Sequence, residues 1–562
     1  MKTRHPLLRL APLFTPDRRL LLFSGLGLLT GTALGLVGPI LVAQAIDVDL
    51  ANHDQAGLIT KAGMYMGVIL ASLAVTYGAR IGIETVAQRA MVTLKQQLFD
   101  HLLDHDLALH DKQTSGRLIT RIQGDIEALR TLFTEVILAS PADALLFVGI
   151  FTVLTVKASA LAPLVAGVIP VWVLLFLLFR RLAPPRFMAL RKIQATLTGF
   201  FTEHIRAMPT VQAYDQGDWA RQRVENLNRD VFRTAAIAGL LPVGYFNAIF
   251  LVRSIGFVAL LWFGVGMIDD GRLTVGELVM GLGYLRQLFG PLMRLSNHQT
   301  TIERARAASI RIGELLDTPR QIADPADPVA WPGLEEALRL ESVDFHYIAG
   351  APVLRQLSMS IPAGASVGIV GPTGAGKSSV LNLLLRFRDP TGGRVTIDGV
   401  DLRDLPVSVL RERMGLVLQD VHLFPGTILE NLGDDPQVAQ AALDVLDIDL
   451  PLDRRVGDDS LSRGERQLLT FARALVGDPE ILVLDEATSA VDPATEARIQ
   501  RALDRLQAGR TTIMVAHRLN TVRHCDIIFV LHQGRLKEQG THEQLIAQGG
   551  VYATLARLQE VA

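Results

Sequence analysis

The residues from Gly371 to Ser378 are Gly371, Pro372, Thr373, Gly374, Ala375, Gly376, Lys377 and Ser378. They fit the pattern G-x-x-x-x-G-K-[ST], between the apolar run Val367 to Val370 and a helical run, Ser379 to Arg386. Glycines at those places let backbone N–H groups turn inward on phosphate oxygens, and the helix start adds a favourable dipole. In such a loop Lys377 reaches the outer phosphates and the Ser378 hydroxyl ligates Mg²⁺. A second run, Ile481 to Glu486, reads as a buried strand that ends in two carboxylates. Beside a phosphate loop, Asp485 suits the Mg²⁺ shell, and Glu486 suits a general base polarising an attacking water.

An α/β layer must position these groups. From Leu338 onward, short β-rich runs alternate with helical stretches; examples are Ser366 to Val370, Arg394 to Ile397, Thr512 to Val515 and Ile527 to Leu531. That alternation predicts a mostly parallel sheet. Upstream, Thr318 to Gly333 holds four prolines and reads as a linker. The expected division is 1–318, a linker over 319–336, and an α/β domain over 337–562.

The first half has a different texture. The chain has 562 residues, 49% hydrophobic and only 20% charged, below the ~25% charge usual for soluble domains. That composition excludes disorder, and a net charge of −2 gives no global attraction to nucleic acid. A single cysteine, Cys525, excludes an internal disulfide framework, and its type reads as a small buried apolar side chain.

The stretches Leu20 to Ile46, Ala62 to Ala79, Ala158 to Phe179 and Thr234 to Val252 carry no charge. Val136 to Val156 is broken only by Asp143, and Leu273 to Leu295 is interrupted by Glu277, Arg286 and Arg294. Six membrane-spanning helices are therefore expected. The first run is too long for a signal-peptide core and has no clear cleavage site. Seven Lys and Arg fall between Arg80 and Arg130 and ten between Arg180 and Arg233, against none from Asp47 to Gly57. The positive-inside rule then places both termini and both long connectors in the cytoplasm. Arg4 to Leu13 reads as an interfacial helix.

Asp143, Arg253 and Arg286 lie at membrane depth, where charges must pair or face a cavity. Two readings stand. One is an internal ion pair between Asp143 and an arginine. The other is an Arg-lined cavity for anionic or zwitterionic amphiphiles, with Asn247 and Gln44 adding polar contacts.

The motifs together resemble the ATP-binding cassette superfamily, in particular half-size exporters that fuse six spans to one nucleotide-binding domain. Leu461, Ser462, Arg463, Gly464 and Glu465 are similar to the signature loop, Ser489 to Asp492 to the D-loop, and His517 to the switch histidine. Gln419 is similar to the Q-loop glutamine, and Tyr347 to the aromatic that stacks on adenine. The resemblance implies ATP and Mg²⁺ as cofactors, with the run from Gly371 through Ser379 around the phosphates and Ser378, Gln419 and Asp485 near the metal. It implies a dimer in which Ser462 and Gly464 contact the ATP held by the partner, Asp492 bridges the two sites, and His517 orients the water. It also implies intracellular loops at Phe99 to Arg130 and Glu203 to Asp215, contacting the nucleotide-binding domains near Gln113 to Leu118 and Tyr214 to Trp219.

Two departures stand out. Arg463 and Glu465 stand where the family has Gly and Gln, while Glu486 is retained, a combination that favours one half of a heterodimer over a homodimer. The stretch between Gln419 and Ser462 is shortened. The implied function is ATP-driven export of a drug, lipid, peptide or other amphiphile across a bacterial-type inner membrane, with lipid, substrate and a second half-transporter as partners and no nucleic acid. An importer of a siderophore-like ligand, or a membrane-anchored ATPase or ATP-gated regulator, are the alternatives.

Overall fold

The computed structural model describes residues 6–107, 109, 115–457, 461–485, 493–516 and 519–560. The chain divides into two compact units, Met1–Leu103 with Ser115–Thr318, and Asp104–Thr114 with Pro319–Ala562.

The first unit is helical: α1 (Arg18–Gln44), α2 (Gln55–Leu103), α3 (Ser115–Thr131), α4 (Ala139–Lys157), α5 (Val168–Arg206), a short α6 (Met208–Ala213), α7 (Gly217–Asp269) and α8 (Val275–Leu316). A π-helical turn, Ala45–Leu50, extends α1, and another, Leu132–Ile137, joins α3 to α4. At ~1.5 Å per residue, the 53 residues of α7 run far beyond the ~30 Å of a hydrocarbon core. Among the described residues, five helical stretches are long and apolar enough to cross a membrane: Arg18–Leu50, Gln55–Leu103, Leu118–Lys157, Ala162–Arg206 and Gly217–Asp269. The sixth expected span forms as α8, a helix of 42 residues, but Glu277, Arg286 and Arg294 keep it outside that group.

Small residues set the closest packing. A Cβ on Gly27 would sit 3.0 Å from the Ala79 Cβ, one on Gly31 would strike the Thr76 hydroxyl, and one on Gly82 would strike Ser24. The backbones of α1 and α2 therefore meet without intervening side chains, and the Ser72 hydroxyl donates to the Gly31 carbonyl at 2.9 Å. The far end of α1 is tied to α8. The Asp47 carboxylate accepts from the Thr274 hydroxyl at 2.6 Å and the Gly276 N–H at 2.7 Å, satisfying donors at the start of α8. Thr274 and Glu277 complete a capping box there. Tyr284, fully buried, donates to the Leu36 carbonyl at 2.6 Å. The segment expected as an interfacial helix is a 3₁₀ helix, Pro6–Phe14; Pro12 cannot donate an α-helical bond, and Phe14 stacks on Phe133 at 3.9 Å.

The second unit holds β1 (Ala337–Ile348), β2 (Ala351–Pro362), β3 (Ser366–Val370), β4 (Gly392–Ile397), β5 (Val400–Asp401), β6 (Met414–Val417), β7 (Gly426–Thr427), β8 (Arg455–Val456), β9 (Ile481–Asp485), β10 (Thr511–Val515), β11 (Ile527–His532) and β12 (Arg535–Gly540). The main sheet has the order β12-β11-β3-β10-β9-β6; all but β12 run parallel. An antiparallel sheet, β2-β1-β4-β5, accompanies it. β3, β9 and β10 are nearly continuous apolar runs because both faces of a parallel sheet are covered.

The Pro-rich segment after residue 318 is bound along this unit. Val329 N–H donates to Asp404 O at 2.9 Å, Trp331 Nε1 to Glu480 at 3.1 Å, and Val407 N–H to Asp324 at 2.8 Å. Cys525 is free and buried, and burial pushes its thiol up to about 11.

Two outcomes are expected. Gly31→Val should wedge α1 from α2 and lower stability by roughly 1–3 kcal/mol, against about 0.6 kcal/mol for Ser72→Ala. Thermal denaturation in detergent checks the order, and an unchanged Gly31→Val midpoint would show that the close approach is dispensable. Cys525 should resist maleimide at neutral pH until denaturant opens the second unit; labelling of native protein at the rate of a free thiol would contradict its burial.

Candidate functional site

The parallel register brings the phosphate loop and the acidic strand to one edge of the sheet. Ile369 of β3 pairs with Val515 of β10, Val515 with Asp485 of β9, and Leu484 with Val417 of β6. The loop after β3, Asp485 and the segment carrying Gln419 therefore all leave the C-terminal edge. With strands ~4.8 Å apart, β3 and β9 lie about 10 Å from each other. Ligands of open α/β sheets bind at this edge.

Backbone geometry at the loop demands glycine at Gly371, where φ is 155° and a Cβ would strike the Leu531 carbonyl, and at two further places. Gly376 has φ 103°, and a Cβ there would also press on the Leu354 side chain at 2.6 Å. Gly374 has φ 81°. Left-handed conformations are costly for any other residue and turn the N–H groups toward one centre. Lys377 opens α9 (Lys377–Leu384) and is 5% exposed. Its ammonium donates to the carbonyls of Gly371 at 2.8 Å and Pro372 at 3.2 Å, which ties it across the loop. Ser378 is exposed at the same helix start, Ser379 is buried, and Asp485 is half-buried at the strand end. Two oxygen donors, a hydroxyl and a carboxylate, at one sheet edge suit a hard cation such as Mg²⁺.

Tyr347, at the end of β1, leans on α9. Its hydroxyl lies 3.2 Å from the Ser379 hydroxyl and accepts from Asn382 Nδ2 at 3.0 Å. The ring is 46% exposed, with the Arg388 guanidinium 5.6 Å from its centre. It is thus held beside the phosphate loop with surface left for a base to stack on. The guanidinium partner was not anticipated from the sequence, since forty residues separate the two.

The signature segment opens α10 (Arg463–Leu475), with Ser462 as its N-cap. The Ser462 hydroxyl accepts from the Glu465 N–H at 3.2 Å, and the Glu465 carboxylate accepts from the Ser462 N–H at 2.7 Å. Arg454 reaches the same carboxylate at 3.4 Å. Glu465 is therefore the acid of a capping box, a role visible in the S-x-x-E spacing itself. Burial alone would raise its pKa, but the Ser462 N–H and hydroxyl and the Arg454 guanidinium hold the carboxyl below its ordinary value. Gly464 is buried and Arg463 exposed. Gln419, Arg463 and Arg466 line one cavity of about 540 Å³.

Arg473, three turns along α10, is a positioning residue that sequence reasoning missed. It donates to the His422 carbonyl at 2.8 Å, the Asn431 carbonyl at 2.9 Å and the Asn431 side-chain oxygen at 2.6 Å. Buried Asn431 in turn holds both the N–H and the carbonyl of Phe424 at 2.8 Å. The loop after Gln419 is thus clamped to the signature helix. The stretch between Gln419 and Ser462 holds the helices Ile428–Leu432 and Pro436–Val445.

Glu486, Asp492 and His517 lie outside the described residues, as does Gln113. Tyr214 and Trp219, around α6, are exposed. In the first unit, Asp143 pairs with Arg294, not with Arg253 or Arg286. Arg253 lies 4.7 Å from the Phe250 ring centre, Arg286 is exposed, and Asn247 and Gln44 are exposed as well. Asp143 and Arg294 line one cavity, and neither Arg253 nor Arg286 is among its lining residues.

A helical membrane unit joined to an α/β unit with this edge defines an ATP-binding cassette transporter. The "ABC transporter transmembrane region" profile matches residues 21–292 and the "ABC transporter" profile residues 354–489. The chain belongs to the ABC transporter family and is an ATPase and a multi-pass membrane protein of the exporter type. It is 34% identical to the probable multidrug resistance ABC transporter ATP-binding/permease protein YheH of Bacillus subtilis, over 90% of this chain and 77% of that one. It is 32% identical to the fatty acid ABC transporter ATP-binding/permease protein of Mycobacterium tuberculosis, over 96% and 89%. The solved structure of a bacterial Atm1-family ABC exporter with ATP bound superposes with a TM-score of 0.78 at 27% identity, covering 96% of this chain and 98% of that one.

Glu465→Gln keeps an acceptor for the Ser462 N–H and should destabilise less than Glu465→Ala, which should cost about 1 kcal/mol. Because the folded carboxyl is depressed, the contribution of its charge is complete above the unfolded value of about 4.3 and is lost as pH falls through the folded value. Denaturant titration should therefore show the gap between wild type and Glu465→Gln narrowing from about pH 6 to about pH 3. A gap of constant size would contradict the charge assignment.

Proposed function

We propose that this chain is one half of a dimeric exporter that drives an amphiphile out of a bacterial cell by alternating access. The observation that carries the reading is the shared sheet edge, where a glycine-built phosphate loop, Asp485 and the Gln419 segment leave three strands of one parallel sheet. The relatives named for multidrug resistance and for fatty acids support a drug-like or lipid-like cargo. The basic connectors support an inner-membrane protein with both termini in the cytoplasm.

Each residue has a task that follows from its chemistry. The backbone from Gly371 to Ser379 surrounds the phosphates, Lys377 neutralises their outer charge, and Tyr347 stacks on the base. Ser378, Gln419 and Asp485 would hold Mg²⁺, which supplies charge neutralisation on the phosphate oxygens. Glu486 accepts a proton from the attacking water, and His517 orients that water. Ser462 and Gly464 close over the partner's nucleotide, and Asp492 links the two sites. Arg463 and Glu465 put a cation and an anion where the signature loop meets that nucleotide, which supports a heterodimer whose two sites differ.

Reconstituted protein tests this. Lys377→Ala should abolish ATP binding at this site. Glu486→Gln should bind ATP normally and accumulate as a closed dimer with turnover reduced by about 10²-fold or more; unchanged turnover would remove Glu486 as the base. The chain purified alone should hydrolyse ATP weakly, and robust turnover from the single chain would favour a homodimer.

A further inference from the structure

The first unit has an open cavity of about 600 Å³ lined from α1, α2, the end of α3, the π turn after it, α4 and α8. Three guanidinium groups, Arg80, Arg130 and Arg294, and three carboxylates, Glu84, Glu135 and Asp143, line it. Its volume is that of a small-molecule site. Leu28, Ile83 and Leu146 add apolar lining.

Four of the six charges are paired inside the protein. Arg130 donates to Glu84 at 2.5 Å, and Arg294 pairs with Asp143, approaching its second oxygen at 3.3 Å. Two remain. Neither Arg80 nor Glu135 makes a hydrogen bond or an ion pair among the described residues. His298 also lines the cavity; it is 7% exposed, and its ring nitrogens have no partner among the described residues. Glu135 is carried by the π turn Leu132–Ile137, a wide turn that recurs at functional sites.

The position matters as much as the composition. Arg80 directly follows the charge-free stretch Ala62 to Ala79, and Arg294 stands at the end of the last apolar run. The cavity thus lies where apolar spans give way to polar helix extensions. Both Arg80 and Glu135 are exposed where they line the cavity, so each is open to a ligand. A ligand with only negative charge would meet Glu135, and one with only positive charge would meet Arg80. A ligand carrying both signs satisfies both, and Leu28, Ile83 and Leu146 offer contact to its hydrocarbon.

We propose that this cavity binds a zwitterionic amphiphile, with the anionic end of its headgroup on Arg80, the cationic end on Glu135, and His298 hydrogen-bonded to the anionic end. The use of the site in transport rests on the exporter reading; binding itself does not.

The test is direct binding of radiolabelled dihexanoyl phosphatidylethanolamine to the full chain in detergent, without nucleotide. Dihexanoyl phosphatidylglycerol serves as the anionic control and glycerophosphoethanolamine as the chainless one. The wild type should prefer the ethanolamine lipid to both. Arg80→Gln and Glu135→Gln should each weaken its binding about tenfold. Glu135→Gln should also strengthen phosphatidylglycerol binding, and Arg80→Lys should recover most of the wild-type affinity. Neither Gln variant strips a partner from an internal ion pair, and unchanged ATP binding verifies their fold. Equal binding of the two lipids by wild type, or wild-type affinity in both Gln variants, would overturn the proposal. Glycerophosphoethanolamine binding as tightly as the lipid would overturn the assignment to an amphiphile. None of these readings depends on hydrolysis, so a failed transport assay with intact selective binding would count against the exporter reading alone.

Discussion

Parallel strand register is the constraint on which the ATPase unit rests. Because β3, β10, β9 and β6 run the same way and pair in step, their C-terminal ends fall on one line. Each strand is an apolar run that ends where polar chemistry begins, and no side chain has to reach far. A slip of one residue in β9 would turn Asp485 to the opposite face and put an apolar side chain in its place. The deep burial of β9 and β10 opposes such a slip, since every residue from Ile481 to Leu484 and from Thr511 to Val515 is enclosed. The hydrophobic core thus fixes where the carboxylate stands. The glycines of the loop complete the arrangement by leaving the N–H groups free to face inward.

The membrane unit solves a different problem. Its long helices have apolar surface on nearly every side, so hydrophobicity alone does not say which faces meet. Small residues and a few polar ties do. Gly27, Gly31 and Gly82 let α1 and α2 approach, and Ser72 bonds across the seam. Asp47 caps α8 from α1, and Asp143 pairs with Arg294 between α4 and α8. Each tie gives a polar group a partner on a neighbouring helix. Several of the unit's polar groups thus serve as joints between helices, while Arg80 and Glu135 stay exposed at a cavity.

These two designs explain what was legible beforehand. The phosphate loop and the acidic strand are local patterns, each contained within about a dozen residues, and their type follows from their flanking runs. The spans were legible for the same reason, by length and lack of charge. Which charges share a cavity was not. Asp143, Arg253 and Arg286 drew attention because they interrupt apolar runs, but adjacency across helices depends on rotation about each axis, and near-uniform apolar helices carry little periodicity to reveal it. Arg294, eight residues after Arg286, is the residue that meets Asp143. Glu465 shows the opposite lesson. Its departure from the family pattern drew attention to the partner's nucleotide, while its S-x-x-E spacing from Ser462 already specified a cap.

The cap and the Arg473 clamp together bear on how a substitution in the signature loop acts. The start of α10 is held by Ser462 and Glu465, and its far end grips the loop after Gln419 through His422 and Asn431. Helix and loop therefore form one body with two attachments. The exposed Arg463 lines the cavity that Gln419 also lines. With Arg at this position the Ser462–Glu465 capping box still forms, so in the proposed dimer the residue adds a positive charge at the N-terminus of an intact helix. A guanidinium there offsets the Glu465 carboxylate, so the helix start still favours an anion. By the same reasoning, the differing sites of a heterodimer would arise from electrostatics at the loop and not from a misplaced helix.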